Sequence, residues 1–224
     1  MNANADNAKM EIARFNMIEQ QIRTWDVLDP TVLQLLNDVP REQFVPANYQ
    51  GLAFADLEIP MGHGHVMLSP KLEGRMLQAL SVQPTDHVLH IGTGTGYLTA
   101  LIAKLAKSVV SVDIEPSFSA LAAQHLQKHH IHNVILEVGD ASRGWETHAP
   151  YDVIVFGASS PVEPVQLRQQ LAVNGRMLIV LGTAPAMRAT LIQRISEHGY
   201  KEDVLFETCI APLINAAQAQ PFHF

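Results

Sequence analysis

The sequence has a single cysteine, Cys209, in 224 residues, so no disulfide can form within the chain and a disulfide-stapled secreted domain is excluded. No apolar run approaches the roughly 18 to 20 residues that a membrane-spanning helix needs. The start, Met1-Asn2-Ala3-Asn4-Ala5-Asp6, is polar and lacks the apolar centre of a signal peptide, which makes the cytoplasm the expected location. Lysine and arginine form no stripe, and the net charge of −7 argues against a nucleic-acid partner, whose phosphates demand cationic contacts. No repeat, low-complexity tract or linker divides the chain. With 47% hydrophobic residues it can bury a substantial core, and its length suits one α/β domain with an extension.

What the chain does contain is concentrated between Val88 and Tyr97, Val-Leu-His-Ile-Gly-Thr-Gly-Thr-Gly-Tyr. An apolar run leads into Gly92, Gly94 and Gly96 on alternate positions, and Leu98, Leu101, Ile102 and Leu105 then repeat at helical spacing. This reads as strand, nucleotide loop and helix, the glycines allowing a tight turn and close approach to a ligand. A dinucleotide fingerprint would need a glycine at Tyr97 for close helix–strand packing. The spacing found here points instead to S-adenosylmethionine (SAM). A second apolar run, Val109 to Val112, ends in Asp113, an acid about 20 residues past the glycines that can take a ribose diol. A third, Val134 to Val138, ends in Gly139-Asp140, where the carboxylate can accept from an adenine amino group or simply face solvent in a turn.

Residues 1–84 precede the first sheet strand and read as an N-terminal helical extension carrying a site-covering loop, with residues 85–224 forming the core. Met10 to Thr24 is expected to be helical, with Phe15, Ile18 and Ile22 on one face. Asp29-Pro30 starts a second helix by capping and a first-turn proline. From His87 onward strands and helices alternate: strand to Ile91, helix to about Leu105, strand to Asp113, helix from Pro116, strand to Val138, strand Asp152 to Phe156, helix from Pro164, strand Arg176 to Leu181. Alternation means a parallel sheet. Apolar runs around Thr190 to Ile195 and Val204 to Leu213 complete it as an antiparallel edge pair. The fold class is thus α/β and Rossmann-like, a mostly parallel seven-stranded sheet with its ligand site at the strand carboxyl ends.

Several stretches occur together and in order: Met17 to Arg23, Val39 to Pro46, Asp56 to Pro70, Val88 to Tyr97, Val138-Gly139-Asp140 and Asn174-Gly175-Arg176. In these the chain resembles the protein-L-isoaspartate O-methyltransferase family over nearly its whole length. The resemblance implies a class I SAM-dependent methyltransferase acting on isoaspartyl (and D-aspartyl) residues of damaged proteins. It also implies that Gly92, Thr93, Gly94, Thr95 and Gly96 wrap the methionyl part of SAM, that Asp113 with Ile114 holds the ribose, and that Asp140 and Ala141 flank the adenine.

The chain departs from the family in the acceptor loop. Where the family reads Gly-His-Gly-Gln-Thr-Ile-Ser-Gln-Pro, this chain reads Gly62-His63-Gly64-His65-Val66-Met67-Leu68-Ser69-Pro70, so the threonine falls on Val66 and the serine on Leu68. Ser69 is the remaining hydroxyl and, with His63, the candidate for touching the acceptor; Ser69 can equally cap the helix from Lys71 to Leu80, and His63 can be structural. His90 stands where the family has glutamate, which removes one contact at the SAM end. The eleven histidines, including the run His129, His130 and His132, have no carboxylate or cysteine at ligand spacing, so no metal is expected.

Methyl transfer to an already ionised carboxylate requires positioning rather than a general base. Three functions remain open: isoaspartyl repair with S-adenosylhomocysteine (SAH) as product, methylation of a less polar acceptor reached through Val66 and Leu68, and SAM binding without catalysis. No oligomeric state can be read. The apolar end, with Phe222 and Phe224, either packs on the body or a second subunit, or frays.

Overall fold

A computed structural model describes the backbone of residues 3–219 and the side chains of residues 8–219. Phe222 and Phe224 lie outside the described residues. The chain divides into two compact units, one up to Ala79 and one from Leu80 onward.

The first unit opens with helix α1 (Ala3–Met17), which widens into a π turn over Ile18–Ile22 and tightens into a 3₁₀ turn over Arg23–Trp25. This corrects the expected apolar face. Phe15 is 60% exposed, while Met17, Ile18 and Ile22 are buried. A π turn bonds each carbonyl to the amide five residues on, here Ile18 O to the Arg23 amide, and this wider turn brings Met17 rather than Phe15 into line with Ile22. Helix α2 (Pro30–Asp38) starts as the sequence requires, Asp29 Oδ1 accepting from the Thr31 amide at 2.8 Å ahead of Pro30. A hairpin of β1 (Ile59–Gly62) and β2 (His65–Met67) follows, then α3 (Pro70–Leu80), whose first turn closes with Leu72 and Glu73 amides on the Ser69 carbonyl. Gly74 lets α3 approach closely, since a Cβ there would meet Ile22 at 3.3 Å and Leu36 and Val27 at 3.5 Å.

At the centre of this unit lies a buried charge pair. Arg41 is fully buried and its guanidinium holds Glu73, the Ala53 carbonyl (2.9 Å) and the Leu68 carbonyl (2.6 Å). Burial pushes the Glu73 carboxyl up to about 7, with Arg41 opposing the rise. A buried arginine without such partners would be prohibitively costly, so these bonds fix the Leu68 backbone.

The second unit alternates as expected: β3 (His87–Ile91), α4 (Tyr97–Leu105), β4 (Ser108–Asp113), α5 (Pro116–Lys128), β5 (Val134–Val138), β6 (Tyr151–Ser160), α6 (Gln166–Gln170), β7 (Leu171–Thr183), β8 (Ala186–Arg194) and β9 (Tyr200–Thr208). They form one seven-stranded sheet in the order β5-β4-β3-β6-β7-β8-β9. The first five strands are parallel and β8 and β9 antiparallel. Leu89, Ile91, Val110, Val112, Ile154 and Phe156 share one buried layer, and Val88, Val109, Val153 and Val155 between them are buried on the opposite face, which explains the near-continuous apolar runs of these strands.

Several boundaries differ from the sequence reading. Strand β6 runs on to Ser160, with its pairing to β7 shifting between Val155 and Ser159. The helix expected from Pro164 shrinks to the five residues of α6. Strand β9 ends at Thr208 instead of continuing to Leu213, because Thr208 pairs with Met187 and its partner strand β8 starts only at Ala186. Residues 210–213 instead meet the end of β6: Ser159 donates its amide to Ala211 O and its hydroxyl to Ile210 O, each at 2.9 Å, and accepts from the Leu213 amide at 2.9 Å.

Candidate functional site

The chain leaves β5, returns beside β3 and then continues toward β7, so the order of connections reverses between β3 and β6. A doubly wound sheet opens a ligand crevice at the strand carboxyl ends beside such a reversal. The glycine loop emerges there. Gly92, Gly94 and Gly96 have φ of +93°, +53° and +85°, values that side-chain-bearing residues adopt only under strain. The loop is held at both ends, by the Gly92 amide on Val112 O (2.8 Å) and the Ala100 amide on Gly96 O (2.8 Å). Helix α5 supports it from behind: a Cβ at Gly96 would lie 2.9 Å from the Ala122 Cβ, and His125 Nδ1 donates to Thr95 O at 2.7 Å. Thr93 and Thr95 are buried within the loop.

Asp113, at the end of β4, joins the parts. Its Oδ2 accepts from the Gly94 amide at 2.8 Å, its Oδ1 from the Glu115 amide at 2.9 Å, and its carbonyl from the Gly139 amide at 2.9 Å. Each carboxylate oxygen keeps a further lone pair for a ligand hydroxyl. Ile114 is half-buried beside it. Asp140, past the end of β5, is exposed and takes the Ser142 amide on Oδ1 and the Asn215 side-chain amide on Oδ2, both at 2.9 Å. Slight desolvation raises the Asp140 carboxyl, but bonds from Ser142 and Asn215 and the nearby charge of Arg143 outweigh it and hold the group below the usual aspartate range. Ala141 is buried in the core layer, and Trp145 covers Gly139 so closely that a Cβ there would lie 2.6 Å from its ring.

The structure therefore brings together Gly92 to Gly96, Asp113, Ile114, Asp140 and Ala141. His63 and Ser69 belong to the first unit. His63 is exposed in the β1–β2 turn at φ +53°, between Gly62 and Gly64, both also left-handed. Ser69 begins α3 with its carbonyl. Val66 is half-buried and Leu68 is 6% exposed. Among the described residues no three or more His, Cys, Asp or Glu side chains form a group able to hold a metal ion.

Three features lay beyond the sequence reading. Asn215 reaches Asp140 across 75 residues of chain. Gly157, just past the core of β6, lies back to back with Gly92, where a Cβ would come within 2.9 Å of Gly92 O. His90 is 1% exposed, with Nδ1 bonded to Thr99 Oγ1 (2.8 Å) and Ser111 Oγ (3.2 Å), and burial pushes its imidazole down to about 3. Thr93 and Thr99 are both joined to Ser111, at 2.7 and 3.1 Å, so a continuous polar network runs beneath the loop. A left-handed glycine loop, a buried strand-end acid bonded to it and unspent polar capacity at both suit an adenosyl amino acid.

This fold and loop are those of a class I SAM-dependent methyltransferase. A family model described as protein-L-isoaspartate(D-aspartate) O-methyltransferase matches residues 13–218. The chain is 38% identical over 214 residues to the protein-L-isoaspartate O-methyltransferase of Aeropyrum pernix, covering 85% of this chain and 82% of that one. Among solved structures, a Plasmodium falciparum protein described as a protein-L-isoaspartate O-methyltransferase, in complex with SAH, superposes with a TM-score of 0.75 at 18% identity, covering 89% of this chain and 97% of that one. Another protein-L-isoaspartate O-methyltransferase gives 0.75 at 22% identity, over 89% of this chain and 65% of that one. The chain belongs to the protein-L-isoaspartate O-methyltransferase family.

Proposed function

We propose that this chain transfers the methyl group of SAM to the side-chain carboxylate of L-isoaspartyl and D-aspartyl residues in damaged peptides and proteins, with SAH as product. The observation that carries the reading is the family match across residues 13–218 together with a glycine loop built for the cofactor. Bound SAM would present a methyl carbon on a sulfonium sulfur, so a carboxylate oxygen can attack that carbon while the sulfur leaves as the thioether of SAH. The adjoining backbone amide nitrogen then displaces methanol from the ester to close a succinimide, and hydrolysis by water can re-form ordinary aspartate.

The protein's share of this chemistry is alignment. In this reading the Gly92–Gly96 backbone receives the methionyl part, Asp113 and Ile114 the ribose, and Asp140 and Ala141 the adenine. The first unit supplies the acceptor loop, in which His63 and Ser69 are the groups that orient the attacking carboxylate. An orienting hydroxyl contributes ~1.5–3 kcal/mol, roughly 10- to 100-fold in rate, so a chain with Val66 and Leu68 in the family's hydroxyl positions is a slower catalyst rather than an inert one. A reducing, cytoplasmic setting fits the one free cysteine, Cys209, and the absence, among the described residues, of a helix able to cross a membrane.

The test is methyl transfer from labelled SAM to an isoaspartyl peptide, with the matching aspartyl peptide as control. Label on the isoaspartyl peptide alone is expected. Label on neither peptide, from protein that binds SAH, would overturn the reading.

A further inference from the structure

Nε2 of His90 is buried and has no hydrogen-bond partner within the protein. Burying an imidazole nitrogen in that state is costly, so its retention calls for a reason. The other side of the ring is fully engaged. The tautomer with the proton on Nδ1 lets His90 donate to Thr99 Oγ1, Thr99 to Ser111 and Ser111 to Thr93, so Thr99 and Ser111 each give one hydrogen and accept one. This direction leaves Nε2 with a free lone pair. The histidine is neutral throughout the physiological range, because burial disfavours its cation.

The position of that lone pair is informative. His90 lies two residues before Gly92 on the central strand, at the reversal between β3 and β6. Its Nε2 faces Gly157 on β6, where a Cβ would stand 3.4 Å from the nitrogen. Gly157 does not have the left-handed backbone that would require glycine, so its missing side chain serves space, beside Nε2 and beside the Gly92 carbonyl. The amides of the glycine loop are donors and suit the carboxylate of an amino acid. Its ammonium needs an acceptor.

We propose that His90 is a cofactor-contacting residue, whose Nε2 accepts a hydrogen bond from the ammonium of the methionyl end of SAM. The family's glutamate at this position would be a charged acceptor, and this chain keeps the acceptor while giving up the charge. The hydroxyls of Thr99 and Ser111 act through His90 by fixing its ring and its tautomer.

Two ligands test the contact: SAH, which carries the amino-acid end, and 5′-methylthioadenosine, which lacks it. By calorimetry His90→Phe should weaken SAH binding by roughly fivefold or more, the worth of one hydrogen bond, and leave methylthioadenosine within about twofold of wild type. Equal losses for both ligands, or none, would overturn the contact and leave His90 a packing residue. In wild-type protein with isotope-labelled histidine, the His90 Nε2 resonance should move when SAH is added and stay in place with methylthioadenosine. An Nε2 signal indifferent to SAH would reject the proposal even if His90→Phe failed to fold.

Discussion

Asp113 Oδ2 accepts the amide of Gly94 at 2.8 Å, so the acid at the end of β4 braces the glycine loop. Asp113→Ala removes that bond and leaves the Glu115 amide without its acceptor as well. SAH affinity, measured calorimetrically, should fall by about tenfold or more, since hydrogen bonds to charged groups are worth ~1.5–3 kcal/mol. Unchanged affinity would remove Asp113 from the site.

Gly157→Ala adds a Cβ 2.9 Å from Gly92 O and 3.4 Å from His90 Nε2. The first contact is backbone and cannot swing away, so the loop must shift. SAH binding should weaken by several-fold and the thermal midpoint should drop by a few degrees, overpacking of this kind costing about 1–3 kcal/mol. An alanine variant with wild-type affinity would show that the loop is softer than its hydrogen bonds indicate.

Val66→Thr combined with Leu68→Ser restores the family's hydroxyls. Turnover on an isoaspartyl peptide should rise by roughly tenfold with SAH affinity nearly unchanged, as an acceptor contact alone requires. Because Leu68 is buried, the serine carries a stability cost on the order of 2–4 kcal/mol, visible as a lower midpoint. A double variant that folds, binds SAH and still methylates no isoaspartyl peptide would refute isoaspartyl repair for this chain.

The Arg41–Glu73 pair should mark the pH dependence of stability. Burial raises the Glu73 carboxyl from its ordinary value of 4.5 to about 7 in the fold, so the native state holds its proton longer than the unfolded chain does. Its contribution is therefore fully present below about pH 4.5 and is lost as pH rises through 7. Glu73→Gln cannot titrate. Thermal midpoints recorded from pH 5 to 8 should fall less steeply for that variant than for wild type; parallel slopes would mean that Glu73 stays ionised throughout.

Much of the site was legible because it is local. Alternate glycines after an apolar run require left-handed backbone, and acids at the ends of the next two strands arrive at the same sheet edge by the alternation itself. The rest depends on contacts that a linear reading does not reach. Leu68 looked like a candidate lining residue, and only the Arg41 guanidinium on its carbonyl shows that this stretch is pinned into the interior of its own unit. The exposure of Phe15 follows from the π turn after Met17, which no spacing of apolar residues announces. His90 was visible as a departure, but that its Nε2 is left over depends on Thr99 and Ser111 both approaching Nδ1.

The return of residues 210–215 across the end of β6 sets an order on assembly. Gly92 to Gly96, Asp113 and Asp140 all emerge during synthesis before Asn215, which supplies the partner for Asp140 Oδ2, and before Ile210, Ala211 and Leu213, which engage Ser159. A growing chain can therefore close its parallel strands around the loop while Asp140 is still held from one side, by the Ser142 amide. Asp140 gains its second partner only once the chain has been made past β9.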